Sequence, residues 1–247
     1  MLGALTTLRR SYEDDGFAIA RDVVDVASLT AVRTEIDEVL AAEAARHLDD
    51  DVVDDGTRSD RWYLQLAGFG RAYREALDRV LEGGLAAHAV ALAEDLVSCV
   101  RALDVAVPNL RVVTVRADPP GGERTLLPLH QDVRDLRSEN AVNAWIPLQP
   151  VDTGNGAMVV HAGSHRRGRI ESTAVGPYGH LHVDPGWADG FDPVACQIEP
   201  GDAVLFSPYV LHRSAPNASR RIRWTVVVRY DDASRMPWLV DGRNPHR

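Results

Sequence analysis

The rhythm of apolar and polar positions changes near residue 110. Before that point Leu29, Val32, Ile36, Val39 and Leu40 recur at helical spacing on an otherwise polar cylinder, with Ser28 placed to cap it. The stretches 71–82 (RAYREALDRVLE) and 85–101 (LAAHAVALAEDLVSCVR) read the same way, parted by the breakers Gly83 and Gly84. His88, inside the latter stretch, reads as a packing or surface residue. Residues 46–60 (RHLDDDVVDDGTRSD) carry an aperiodic acidic run, which predicts a solvated loop.

Beyond residue 110 the chain breaks into short β-branched runs punctuated by Gly, Pro and Asn: LRVVTVRAD, NAVNAWIPL, AMVVHAG, ACQIEPGDAVLFS and RIRWTVVVRY. In the last of these, Arg221, Arg223, Thr225, Val227 and Arg229 fall on one face and Ile222, Trp224, Val226, Val228 and Tyr230 on the other. Many short strands with turns between them predict a sandwich or barrel, and a double-sheet jelly roll is among the commonest solutions. Residues 169–195, rich in Gly, Pro, His and Trp, have the length of a lid or binding loop. The expectation is a mainly β protein with flanking helices: a helical half at about 1–108 packed on a jelly-roll core at about 109–235, in one domain spanning 1–247.

Composition narrows the function. A net charge of −9 and a pI near 5.4 argue against a nucleic-acid partner, which would be met by clustered positive charge. That acidity would suit a cationic small substrate, although a solvated surface explains it better. Cys99 and Cys196 stand far apart with no CxxC, which suggests neither a disulfide framework nor a structural zinc site. The N-terminus lacks the apolar core of a leader, and no stretch approaches the ~18 apolar residues of a membrane span. A soluble cytoplasmic protein is expected. All 27 basic residues other than histidine are arginine, which reads as a GC-rich coding bias.

The chemistry starts at LLPLHQDVRDL. His130 and Asp132 are two residues apart, so on an extended segment both side chains project from one face. His212, in SPYVLHRSAPN, supplies a third donor. Two histidines and one carboxylate form the facial triad of non-haem iron(II) oxygenases, which leaves three positions open. With nine histidines in the chain the HxD pair alone would be weak evidence. Arg223 adds to it: eleven residues past His212, on a β run, its guanidinium could hold a dicarboxylate through two parallel hydrogen bonds.

These segments, together with NAVNAWIPLQPVDTGNGAMVVHAGSHRRG and PGDAVLFSPYVLHRSAPNASRRIRWTVVVRY, resemble the phytanoyl-CoA dioxygenase family over roughly residues 10–235. The resemblance implies a double-stranded β-helix, itself a jelly roll. It implies iron(II) on His130, Asp132 and His212, and 2-oxoglutarate with its distal carboxylate on Arg223 and help from Ser214. Dioxygen is the other co-substrate, and ascorbate is expected to help in vitro. A polar residue on the strand before the HxD pair is expected near the metal-proximal end of the co-substrate, with Arg111, Thr114 and Arg116 as candidates. Asn143 and Trp145 are candidates on the strand after it, with core packing an equal reading for Trp145. Where the family writes a proline-glycine-serine-histidine turn, this chain has His161-Ala162-Gly163-Ser164-His165, and both histidines read as structural.

The implied reaction is oxidation, by default hydroxylation, of an unactivated C–H bond, with ring closure, desaturation or epimerisation as other outcomes of the same cofactor chemistry. Asp132 stands where related halogenases carry a small residue, which disfavours halogenation. The expected substrate is a small polar secondary metabolite such as an antibiotic sugar or aminoglycoside, met by Trp62, Tyr63, Gln131, Tyr178, His180, His182 and Trp187. Two rivals remain: a sugar isomerase on a similar barrel, which has no need of Arg223, and a non-catalytic binding module, which predicts no iron-dependent turnover. Oligomeric state is not legible.

Overall fold

The computed structural model describes residues 2–49, 58–122, 126–134, 136–138, 140–172, 174–175 and 181–236. The order is α1 (Leu2–Asp15), β1 (Phe17–Ala20), α2 (Val26–His47), α3 (Arg58–Ala67), α4 (Arg71–Glu82), α5 (Leu85–Ala91), α6 (Glu94–Ala102), β2 (Pro108–Asp118) and β3 (Ala141–Pro147). Then come β4 (Val159–His161), β5 (Ala174–Val175), β6 (Leu181–His182), β7 (Pro193–Ala195), β8 (Ala203–Phe206), β9 (His212–Arg213) and β10 (Arg223–Asp232). Five antiparallel strands make the larger sheet in the order β1-β8-β3-β10-β2, and three make the smaller, β7-β4-β9.

Strand β10 shows why the layers form. Its even-numbered residues Trp224, Val226, Val228 and Tyr230 are buried against the helices, in a cluster that takes in Leu29, Val32, Ile36 and Leu40 of α2. Trp145, Phe206 and Val204 from the opposite face of the same sheet meet Met158, Val160, Cys196 and Ile198 in a second cluster between the two sheets. The result is helices on a two-sheet sandwich, the jelly-roll arrangement expected from the strand pattern.

Four local expectations are corrected. Asp25, not Ser28, caps α2, accepting from the Ser28 N–H at 2.8 Å. The stretch 85–101 is two helices, because Ala93 turns extended between α5 and α6 without a Gly or Pro to signal it. The helical half also contributes β1, an edge strand of the main sheet paired to β8. Of the acidic run 46–60, residues 50–57 lie outside the described residues, but Asp60 belongs to α3 and is buried.

Asp60 accepts from Arg221 Nε at 2.7 Å, Ile222 N at 3.1 Å, Trp224 Nε1 at 3.1 Å and Arg33 Nη2 at 3.5 Å. One carboxylate therefore joins α2 and α3 to the start of β10. Asp60→Ala would leave those donors buried and unpaired, and should lower stability by about 3 kcal/mol, read as a fall in the urea midpoint.

Candidate metal centre

His130 and His212 come from segments far apart in sequence, and two backbone hydrogen bonds bring them together. His130 N donates to His212 O at 3.0 Å and His212 N to His130 O at 3.1 Å, an isolated antiparallel bridge. The next turn is fixed by Asp132 N donating to Pro208 O at 2.9 Å. In this extended backbone alternate side chains point oppositely. His130 and Asp132 face the cavity, and Gln131 faces away, donating to Gly168 O at 2.9 Å and accepting from Ile170 N at 2.8 Å. Gln131, expected near substrate, instead ties down the chain around residues 168–170.

The ligand atoms of His130, Asp132 and His212 lie within 4.8 Å of one another. His130 Nδ1 lies 2.8 Å from Pro128 O and His212 Nδ1 3.1 Å from Val210 O. A carbonyl can only accept, so both protons sit on Nδ1 and each Nε2 lone pair is free. The Nε2 atoms lie 3.7 Å and 4.0 Å from the Asp132 oxygens. Burial drives the His130 pKa down to about 3, with His212 adding to the effect. Burial also lowers that of His212, against the pull of Asp132. Burial alone would raise Asp132, but the charge of Arg229 holds it below the usual carboxylate range. Two neutral imidazoles and one carboxylate are the donor set a ferrous ion takes. Asp132 is gripped on both oxygens, by Arg229 Nη2 at 2.7 Å and Asn143 Nδ2 at 2.9 Å.

The donors open on a cavity of about 100 Å³. Thr114, Arg116, Trp145, Arg213, Ser214, Arg223 and Arg229 line it, with Leu127, Met158, Phe206 and Val227 as apolar walls. Arg223 is 3% exposed and its guanidinium lies over Trp145, 5.3 Å from the ring centroid. Its Nη2 donates to Asp118 at 2.5 Å, whereas Nε and Nη1 are buried without a partner. Burial lowers the Arg223 pKa and Asp118 opposes it. Asp118, directly across from Arg223 in the β10–β2 register, also takes Arg116 Nε at 2.9 Å and Nη2 at 2.8 Å. Gly156 (φ +90°) leaves the arginine its room: a Cβ there would stand 2.7 Å from Ala215 O and 3.1 Å from Nη1. Ser214 Oγ accepts from Leu127 N at 3.2 Å and lies 3.4 Å from Arg116 Nη2.

Other candidates are placed elsewhere. Arg111 pairs with Asp231 at 3.1 Å and does not line the cavity; it is the extra residue of a bulge in β2, where Arg229 pairs with Val112 and Tyr230 with Leu110. Trp62 and Tyr63 are buried under the helices, where Tyr63 donates to Asp78 at 2.8 Å and stacks edge-on against Trp224. Trp187 is 40% exposed beside Arg167, and neither it nor His182 lines the cavity. Tyr178 and His180 lie outside the described residues. His165 sits against the α1–β1 turn, its Nε2 3.2 Å from Glu13 O. Sequence reasoning passed over Asp118 and Arg229. Both carried a signal: Arg229 lies on the Arg223 face of β10, and Asp118 shares a strand face with Arg116.

Two imidazoles and a carboxylate on a jelly-roll frame, with half an arginine fork left unpaired beside them, are the arrangement of an oxygenase that takes iron and a keto-diacid. The model of the family described as phytanoyl-CoA dioxygenase (PhyH) matches residues 12–225. The chain belongs to that family, whose members are non-haem iron, 2-oxoglutarate-dependent oxygenases. It is 25% identical to the peroxisomal phytanoyl-CoA dioxygenase of Bos taurus over 246 residues, covering 92% of this chain and 68% of that protein. It is 35% identical to the 1-deoxypentalenic acid 11-beta-hydroxylase of Streptomyces exfoliatus over 106 residues, 38% of this chain and 36% of that one. Among solved structures, the α-ketoglutarate-dependent epimerase SnoN from nogalamycin biosynthesis superposes with a TM-score of 0.60 at 18% identity, covering 94% of this chain and 84% of its own. The non-haem monooxygenase ThoJ gives 0.65 at 17%, covering 91% and 77%. These two likenesses show a shared fold. Among the described residues no helix is long and apolar enough to cross a membrane.

Asn143 holds Asp132 in the orientation the other donors require. Asn143→Ala should weaken metal binding about tenfold or more, measured by Mn(II) titration of the purified protein.

Proposed function

We propose that this chain hydroxylates an unactivated C–H bond of a small polar metabolite, using iron(II), 2-oxoglutarate and dioxygen. The observation that carries this is the buried Arg223 guanidinium with two unpartnered nitrogens, in the same cavity as the His130, Asp132 and His212 donors. Unpaired buried donors are costly, and a dianionic keto-acid would satisfy them.

Nε2 of each histidine and one oxygen of Asp132 would hold the metal. When bound, iron lets dioxygen be spent on two oxidations at once: 2-oxoglutarate leaves as succinate and carbon dioxide, and the second oxygen atom enters the substrate as a hydroxyl. The chain's own groups set that stage. Arg223 grips the distal carboxylate, and Trp145 beneath it fixes the plane of the guanidinium. Thr114, Arg116 and Ser214 stand on the same wall. Met158, Phe206 and Val227 keep that part of the cavity dry, which strengthens each charge contact there. Arg229 and Asn143 hold Asp132 in the orientation in which it would bind the metal.

The fate of the oxidised carbon depends on where the substrate places it, so the same site would support ring closure or epimerisation. Hydroxylation is the reading favoured by the Streptomyces relative's name, and that name, with the nogalamycin source of SnoN, supports a secondary metabolite as substrate. A sugar isomerase leaves the unpartnered face of Arg223 without a purpose.

His130→Ala should abolish iron binding. Arg223→Ala should keep the metal and weaken 2-oxoglutarate binding by a factor of about 30, the loss expected for ~2 kcal/mol of charged hydrogen bonding. Gly156→Ala should act in the same direction by crowding Nη1. Both are read by equilibrium titration of 2-oxoglutarate, and unchanged affinity in Arg223→Ala would remove the assignment. A mass-spectrometric screen of metabolites with ferrous iron, ascorbate and 2-oxoglutarate should find one product heavier by a single oxygen, formed with succinate.

A further inference from the structure

Three polar atoms near the deep end of the cavity are closed to solvent and have no hydrogen-bond partner among the described residues: Nε and Nη1 of Arg223, and the hydroxyl of Thr225, a residue 0% exposed. The two nitrogens are those assigned above to 2-oxoglutarate. The hydroxyl has no such assignment. Thr225 stands on β10 two residues beyond Arg223 and on the same face, and Val227 follows it at the same interval. Arg223 and Val227 both line the cavity, and so does Arg116, which lies directly across from Thr225 in the β10–β2 register. Cavity-lining residues therefore flank Thr225 on three sides.

The side chains above it are the ones that would hold the co-substrate. Trp145 is the register partner of Val227, whereas Arg223 starts from the far side of Thr225. The Arg223 guanidinium nevertheless lies 5.3 Å from the Trp145 ring centroid. The two side chains thus lean toward each other and meet over the row between them, which is the row of Thr225. Other polar groups here are engaged: Arg223 Nη2 with Asp118, Arg116 Nε and Nη2 with the same carboxylate, and Ser214 Oγ with Leu127 N. Valine has nearly the shape of threonine and would fill this place in the sheet without burying an unpaired hydroxyl, which is costly to desolvate. A partner that arrives with the co-substrate explains the hydroxyl.

We propose that Thr225 is a co-substrate-binding residue, its hydroxyl donating to the distal carboxylate of 2-oxoglutarate beside Arg223. The inference rests on the iron and 2-oxoglutarate reading and adds to it a neutral donor. A carboxylate has about four lone-pair sites to satisfy, and with Nη2 held by Asp118 the arginine alone leaves some of them unmet. A hydroxyl bonded to a carboxylate is a charge-assisted donor, stronger than one bonded to a neutral acceptor. Thr225 acts only at the far end of the diacid. The β10 residue that touches a metal ligand is Arg229, two positions past Val227 on the same face.

The test uses the full-length protein loaded with Mn(II) in place of iron, titrated at equilibrium with 2-oxoglutarate and with pyruvate, a keto-acid that lacks the distal carboxylate. Thr225→Val should weaken 2-oxoglutarate about tenfold and leave Mn(II) and pyruvate affinities unchanged. With no keto-acid bound, the same variant should unfold at the temperature of the parent protein or above it, because a methyl replaces an unpaired hydroxyl. Thr225→Ser should restore most of the 2-oxoglutarate affinity. A merely structural hydroxyl would instead lower the unfolding temperature of Thr225→Val, or weaken both keto-acids alike. Either of those results, or unchanged 2-oxoglutarate affinity in Thr225→Val, would overturn the proposal while leaving the oxygenase reading in place. Failure of the parent protein to bind 2-oxoglutarate at all would overturn both.

Discussion

Two backbone hydrogen bonds between His130 and His212 carry more of this protein's chemistry than any side chain does. The ligands belong to segments separated by most of the sandwich, one ahead of β3 and the other after β8. Closing that loop costs entropy that only a formed sheet repays. The metal ligands are therefore products of the completed fold, not of a local motif. The bridge also sets direction: it places residues 130 and 132 on the cavity side and turns residue 131 to the frame.

Within the cavity the governing constraint is burial without loss of charge. Asp118 and Asp132 are both deeply buried carboxylates held ionised by arginines, and in each case two partners share one carboxylate. A buried carboxylate with a single partner would spend much of its attraction on desolvation. With two, it becomes a rigid acceptor around which the guanidinium planes are fixed. The result is a small polar lattice, Arg116–Asp118–Arg223 on one side and Arg229–Asp132–Asn143 on the other, with the candidate co-substrate space between.

What was legible in the sequence divides along the same lines. Alternation in β10 gave both of its faces correctly, because a period of two is dictated by backbone geometry and each face has one environment. The HxD spacing, the distant histidine and the arginine eleven residues on also stood out, because they form one linear pattern. The bulge at Arg111 did not, since a single extra residue in a ladder leaves no trace in composition. Nor did the burial of Trp62 and Tyr63, aromatic residues that suit a sugar pocket and a protein core equally well. Gln131 was misread because its neighbours are ligands, although strand geometry requires it to point the other way.

The Asp60 clamp bears on the site from behind. It fastens Arg221, Ile222 and Trp224, which bracket Arg223 along the chain. The guanidinium on one face of β10 is thereby held in place by a helix on the other, through a backbone only one residue thick. The helical layer serves as a splint for the innermost cation of the cavity.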